Sequence, residues 1–317
     1  MTELLESLIP WGYQILLDIE PLRTPFLNVV FQFLTDSLYT LGFSITVMLV
    51  YVCISKRIGQ GVGLIYLYSD TVNHWLKHYW AIPRPHDPAI NDLLDAAGIS
   101  RRINPVREYS LSPAFPSGHA TAAVVIYGEM AYWFKKVWFW FVAVIMMVLI
   151  SLSRPYLGTH YPQDIIAGAL LGVLLLVVWV VAEPRVRPWL SDKSLGWRYA
   201  LAVVIPLVVL LFKPSGTTRM MGQALGMGIG FVLESHTLRF STDGVWWRRV
   251  LRGAVGVMIV FFALSAVDAT IDPLVENAGP FLAIVWDMIG FTLRGFSVAW
   301  VTPALLIQAR LLNAQRE

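Results

Sequence analysis

Cysteine is almost absent from this chain: Cys53 is the only one in 317 residues, and it sits in an apolar run. An intrachain disulfide and a cysteine-built metal cluster are thereby excluded. Charge is scarce as well, at 14% of residues, against roughly 25% in soluble domains. A net charge of +3 is too small to point to a nucleic-acid partner. Residues 1–20 carry acids where a cleavable leader would open on basic residues, and no small-residue cleavage site follows, so no signal peptide is expected. Repeats and low-complexity stretches are missing too.

Apolar residues fill the gap. They make up 56% of the chain, with a mean hydropathy of +0.61, more than a water-soluble core takes up, so the surplus belongs in lipid. Thirteen Trp and twelve Tyr suit the headgroup level of a bilayer. Runs of spanning length, about 20 mostly apolar residues, occur near 26–54, 59–76, 118–134, 137–153, 163–183, 199–213, 219–234, 250–267 and 281–309. The expectation is an all-α polytopic membrane protein of about nine helices. Its domains are an N-terminal interfacial segment over 1–21, a membrane core over 22–190 and additional C-terminal helices over 191–317. The bias of Lys and Arg toward alternate loops places the N-terminus outside.

Three short segments carry the chemistry. They read Lys77, six residues, Arg84-Pro85; then Pro116-Ser117-Gly118-His119; then Ser153-Arg154, five residues, His160, three residues, Asp164. With the N-terminus out, all three lie on the outer face. Ser117 and Gly118 open an apolar helical run, where unpaired N–H groups and the positive dipole end suit an anion. Ser117 serves as N-cap, and Gly118 allows close backbone approach. Lys77, Arg84 and Arg154 add positive charge, the arginines with planar bidentate pairing. Arg84 between Pro83 and Pro85 has a stiff backbone that excludes helix.

Asp164, in the first turn after His160, can turn back to that imidazole, fix its tautomer and raise its nucleophilicity. His119 is placed to protonate a leaving oxygen. This set fits a two-step transfer of phosphate to His160 and then to water. No metal or other cofactor is called for.

These segments match every position of a three-part signature and resemble the type 2 phosphatidic acid phosphatase superfamily. That group includes lipid phosphate phosphatases, glucose-6-phosphatase and vanadium haloperoxidases. The resemblance covers roughly residues 22–183 and is strongest from 60 to 172. It implies a six-helix core with about three helices added, and metal-independent hydrolysis. It gives His160 the nucleophile's role, Asp164 that of its partner and His119 that of the acid. Lys77, Arg84, Ser117, Gly118 and Arg154 become the phosphate pocket. From residue 197 on, the layout is closer to glucose-6-phosphatase and sphingosine-phosphate phosphatases than to short bacterial members.

The function expected is removal of phosphate from a lipid at the outer leaflet, since the site sits where helix ends meet headgroups. Phosphatidate, phosphatidylglycerol phosphate, polyprenyl diphosphate and sphingoid phosphate are the candidate substrates, and a soluble sugar phosphate stays open. Two alternatives remain: a phosphotransferase using the same site, and a transporter or scaffold retaining it as a relic. The absence of a Lys-Asp-Glu-Leu type ending points to a bacterial plasma membrane.

Other polar residues receive plainer readings. His74 and His78 are expected to pack at the interface, and His86 to lie exposed in a loop. Asp268, Asp272 and Glu276 read as a solvated outer loop, and Asp287 and Arg294 as structural pairs with other helices. The polar stretch from His86 to Phe115, with Arg101, Arg102 and Arg107, is expected to lid the site.

Overall fold

A computed structural model describes residues 2–36, 40–106, 112–212 and 216–314; Arg107 lies outside them. In chain order the helices are α1 (Thr2–Ser7), α2 (Ile9–Ile19), α3 (Pro25–Asp36), α4 (Thr40–Leu49), α5 (Lys56–Trp80), α6 (Asn91–Ala96) and α7 (Gly118–Phe134). There follow α8 (Val137–Tyr156), α9 (Pro162–Ser191), α10 (Leu195–Leu211), α11 (Thr217–Thr237), α12 (Trp246–Glu276), α13 (Pro280–Phe296) and α14 (Thr302–Gln308). Among the described residues, the only strands are β1 (Phe240–Ser241) and β2 (Asn313–Ala314), a short antiparallel pair. The protein is an all-α polytopic membrane protein.

Among the described residues every apolar run of the sequence is built of helix, but the runs differ in span character. By length and composition, α8, α9, α12 and the stretch Pro280–Gln308 can cross a membrane, with a fifth if α3 and α4 count as one span. The run 26–54 is two helices, and α7 and α10 stop at 17 residues each.

The chain forms two compact units, residues 1–39 with 72–178 and residues 40–71 with 179–317. In the first unit, α2 buries one face, Ile9, Tyr13, Leu16 and Leu17, against Ile82, Ile90, Leu94, Ile103, Phe115 and Tyr161. The long polar stretch is therefore anchored by its own apolar residues under an N-terminal helix. Tyr13 Oη accepts a hydrogen bond from the Ile103 amide at 2.6 Å. Arg23 ties the end of α8 to the same stretch, donating to the Tyr156 carbonyl at 2.7 Å and the Asn104 carbonyl at 2.5 Å. Arg101 and Arg102 are held by Glu20 and Asp95, each at 2.5 Å.

In the second unit, α11 packs on α13 through glycine. Gly222, Gly226 and Gly230 recur every fourth residue, so they share a helix face. They meet Met288, Thr292 and Ala299 so closely that a Cβ at Gly226 would stand 1.9 Å from the Thr292 carbonyl oxygen. Small residues at four-residue spacing let membrane helices approach in this way. Buried carboxylates tie the unit's helices together: Glu234 accepts from Lys56 Nζ at 2.6 Å and Tyr51 Oη at 3.2 Å. Glu183 accepts from both Arg57 and Arg187.

The acids read as a loop are helical instead. Asp268, Asp272 and Glu276 fall in the last turns of α12, because the run stays helical to its end at Glu276. Arg294 pairs with Asp268 and, at 4.0 Å, with Asp272, while Arg219 pairs with Asp287 at 3.0 Å. Charge on these apolar helices is thus matched between helices, as charge within a membrane-length run requires.

Candidate active site

The site lies in the first unit, built from the ends of α5, α7, α8 and α9. Lys77 stands in the last turn of α5. The helix stops there because Ala81 adopts a left-handed conformation, φ 51°, and Pro83 and Pro85 follow. Lys77 Nζ turns inward to donate to the carbonyls of Pro113 and Ala114 at 2.7 and 2.9 Å. Those contacts lie just ahead of the cis Phe115–Pro116 peptide that leads into α7. Ser117 caps α7, its hydroxyl accepting from the Ala120 amide at 3.5 Å.

Three further residues hold that helix start. The Ser117 amide donates to the Asp164 carbonyl at 2.9 Å. Asn73 Nδ2 donates to the Pro116 carbonyl at 3.4 Å and to Thr121 Oγ1 at 3.3 Å. Gly168 of α9 lies so near that a Cβ there would be 2.4 Å from the Ser117 carbonyl oxygen.

At the end of α8, Arg154 is buried, and Gly158, at φ 78°, turns the chain back with a conformation few other residues tolerate. The Thr159 amide and hydroxyl both donate to the Arg154 carbonyl, at 3.0 and 3.1 Å. His160 follows in the short connection, and Pro162 opens α9. Asp164 then sits in the first turn, where its Oδ2 lies 3.1 Å from His160 Nδ1 and accepts from the Tyr161 amide at 3.0 Å.

Asp164 Oδ2 accepts from the Tyr161 amide and, as a carboxylate, from His160 Nδ1 as well, which leaves Nε2 as the ring's acceptor nitrogen. Arg84 Nη1 is 3.4 Å from that Nε2 and donates to the Thr159 carbonyl at 3.1 Å. The rest of the Arg84 guanidinium is held by Ser112, through its carbonyl at 2.6 Å and its hydroxyl at 3.1 Å.

His160 is 1% exposed. Burial first, then the positive charges of Arg84, Lys77 and Arg154 and the neighbouring His119, hold its imidazole well below the usual histidine range. It is neutral at physiological pH and surrounded by cations. Such a site favours an anion that brings its own negative charge.

The structure brings together His160, Asp164, Arg84, Lys77, Arg154, Ser117, Gly118 and His119, residues spread over 88 positions of sequence. It sets His86 differently from its sequence reading: the ring is half-buried and lines a cavity of about 430 Å³ beside Arg84, shared with Ile82, Asp87 and Ser112. Sequence reading missed Thr35, Asn73 and Ser112. Asn73 carried a signal, standing one helical turn before Lys77 on the same face. Thr35 and Ser112 carried none, since only tertiary packing delivers them.

Residues 59–188 match the family model of the PAP2 superfamily, and residues 218–316 that of the PAP2 superfamily phosphatase transmembrane extension. The chain belongs to the PAP2 superfamily, and the first match spans all eight residues gathered here. Lipid phosphate phosphatase delta of Arabidopsis thaliana is 22% identical over 70% of this chain and 58% of its own length. Undecaprenyl-diphosphatase of Sulfolobus acidocaldarius is 41% identical over 22% of this chain and 35% of its own. Dihydrosphingosine 1-phosphate phosphatase YSR3 of Saccharomyces cerevisiae is 25% identical over 55% and 45% respectively. The chain thus spans about a third to just under six tenths of the length of these curated relatives. No solved structure matches it.

Proposed function

We propose that this protein is a membrane phosphatase that hydrolyses a lipid phosphate through a phospho-histidine on His160, without a metal, at the extracytoplasmic face of a bacterial plasma membrane. The observation that carries the reading is the His160 imidazole, bonded to Asp164 through Nδ1 and turned by Nε2 toward Arg84.

In the first step His160 Nε2 forms a bond to phosphorus as the bond to the lipid oxygen breaks. The departing electron pair stays on that oxygen, which takes a proton from His119, held as the imidazolium once the phosphate brings its negative charge into the site. In the second step His119 takes a proton from water while the water oxygen bonds to phosphorus. The P–N bond then breaks, and its electrons return to Nε2. Arg84, Arg154, Lys77 and the amides at the start of α7 meet the charge on the non-bridging oxygens, the largest catalytic contribution in phosphoryl transfer.

A lipid substrate is favoured because the site is built from helix ends, where an amphiphile can present its phosphate with its tail still in the bilayer. The names of the relatives point the same way, since each acts on a phosphorylated lipid or lipid-like alcohol. The test is phosphate release by detergent-purified protein, in chelator, from phosphatidate, phosphatidylglycerol phosphate, undecaprenyl diphosphate, a sphingoid phosphate and glucose 6-phosphate, with His160→Ala alongside. Release from a lipid that survives chelation and vanishes in the variant is expected. Chelator-sensitive release, or activity only on the sugar phosphate, overturns the reading.

A further inference from the structure

Thr35 of α3 lies outside the stretch that matches the PAP2 superfamily model and is fully buried. Its hydroxyl is 3.1 Å from Arg154 Nη1 and 2.9 Å from Ser153 Oγ. Direction can be assigned: the Ser153 hydroxyl proton goes to the Ile150 carbonyl at 2.6 Å, so Ser153 Oγ accepts from Thr35, and Thr35 Oγ1 accepts from Arg154. The Thr35 carbonyl in turn accepts a hydrogen bond from the His119 ring. One residue of α3 therefore engages two of the three signature segments, Arg154 by its side chain and His119 by its main chain.

We propose that Thr35 is a positioning residue for phosphoryl transfer. Its hydroxyl orients the Arg154 guanidinium toward the phosphate, and its carbonyl fixes the His119 tautomer. A ring nitrogen that donates to a carbonyl leaves the other nitrogen as the one that exchanges a proton with the leaving oxygen and with water. The hydroxyl relay from Arg154 through Thr35 and Ser153 to Ile150 ends on α8 itself, so the arginine and its support form one hydrogen-bonded loop closed through α3. The site is then incomplete without this helix, which the three-part signature does not include.

This inference rests on the phosphatase reading, and two variants separate them. Thr35→Val keeps shape and carbonyl but removes the hydroxyl; Thr35→Ser keeps the hydroxyl. Thr35→Val is expected to weaken inorganic phosphate inhibition and lower kcat/KM by about 10–100-fold, as loss of outer support to a ligating group does. Thr35→Ser, which keeps the hydroxyl that bonds Arg154 and Ser153, should stay close to wild type in both readouts. Equal phosphate affinity and kcat/KM in Thr35→Val with only a lowered melting temperature would reduce Thr35 to a structural contact. A defect shared by Thr35→Ser would show that the hydroxyl is not the operative group.

Inorganic phosphate binding, read by thermal shift, needs no turnover. If wild type binds phosphate but hydrolyses nothing, the phosphatase reading fails and the Thr35 comparison still stands. If wild type binds no phosphate, both fall.

Discussion

The amide of Ser117 donates to the carbonyl of Asp164 at 2.9 Å, so the start of α7, the proposed phosphate cradle, and the turn that holds His160 are one hydrogen-bonded unit. Neither can shift alone. The close approach of Gly168 to the Ser117 carbonyl fixes the spacing from the other side. The register that the proposed phosphoryl transfer would need between His160 and the start of α7 is set by backbone contacts between α7 and α9 as much as by side chains.

Asp164→Asn should keep the packing but lose the acceptor that holds His160 in its attacking tautomer. A fall in kcat of about 10²–10⁴-fold with little change in KM is expected, by analogy with other imidazole–carboxylate pairs. Steady-state kinetics on folded variant protein checks it. A loss smaller than fivefold would mean that Asp164 does not govern the imidazole.

The depressed His160 pKa has a defined sign. The unfolded chain binds more protons than the folded one between the folded value and the ordinary histidine value of about 6.5. The stability this group contributes is complete above about 6.5 and is lost as pH falls toward the folded value. In catalysis the same shift keeps Nε2 unprotonated, so the acidic limb of kcat/KM that belongs to His160 lies below about 6.5. Lys77→Met removes one of the responsible cations and should move that limb upward. A limb that does not respond to this change belongs to another group.

Arg84→Lys keeps the charge but abandons the planar fork that Ser112 and Thr159 now hold. Inorganic phosphate inhibition should weaken by about tenfold or more, since one ammonium cannot replace two directed N–H groups. Unchanged inhibition would take Arg84 out of the phosphate pocket.

Gly226→Ala should destabilise the second unit although alanine is the better helix former by about 0.8–1.0 kcal/mol. The added methyl meets the Thr292 carbonyl at 1.9 Å, and overpacking of this kind typically costs about 1–3 kcal/mol. Gly196→Ala, with open space around its Cβ, serves as the neutral control. Equal melting temperatures for the two variants would contradict the tight α11–α13 packing.

How much of this was legible in sequence varies with how local the cause is. The apolar runs announce helices because lipid permits little else, and Ser117, Pro162 and Gly158 mark helix boundaries by their own conformational preferences. The Asp164–His160 contact was readable from its spacing of four residues. The burial of α2 over the polar stretch was not, because Ile9, Tyr13, Leu16 and Leu17 cluster with residues 65 to 152 positions away. The same holds for Thr35, whose role depends on α3 lying against α8. The glycine face of α11 was not legible as a packing surface, since hydropathy scores residues one at a time and cannot register a surface shaped for close approach.

The most direct test is to mix the protein with a ³²P-labelled lipid phosphate, quench in alkali, where a phosphoramidate survives, and map the label. The account predicts transient label on His160 in wild type and none in His160→Gln. Label on another residue, or steady turnover with no trapped phosphate at any time, would contradict the phospho-histidine mechanism.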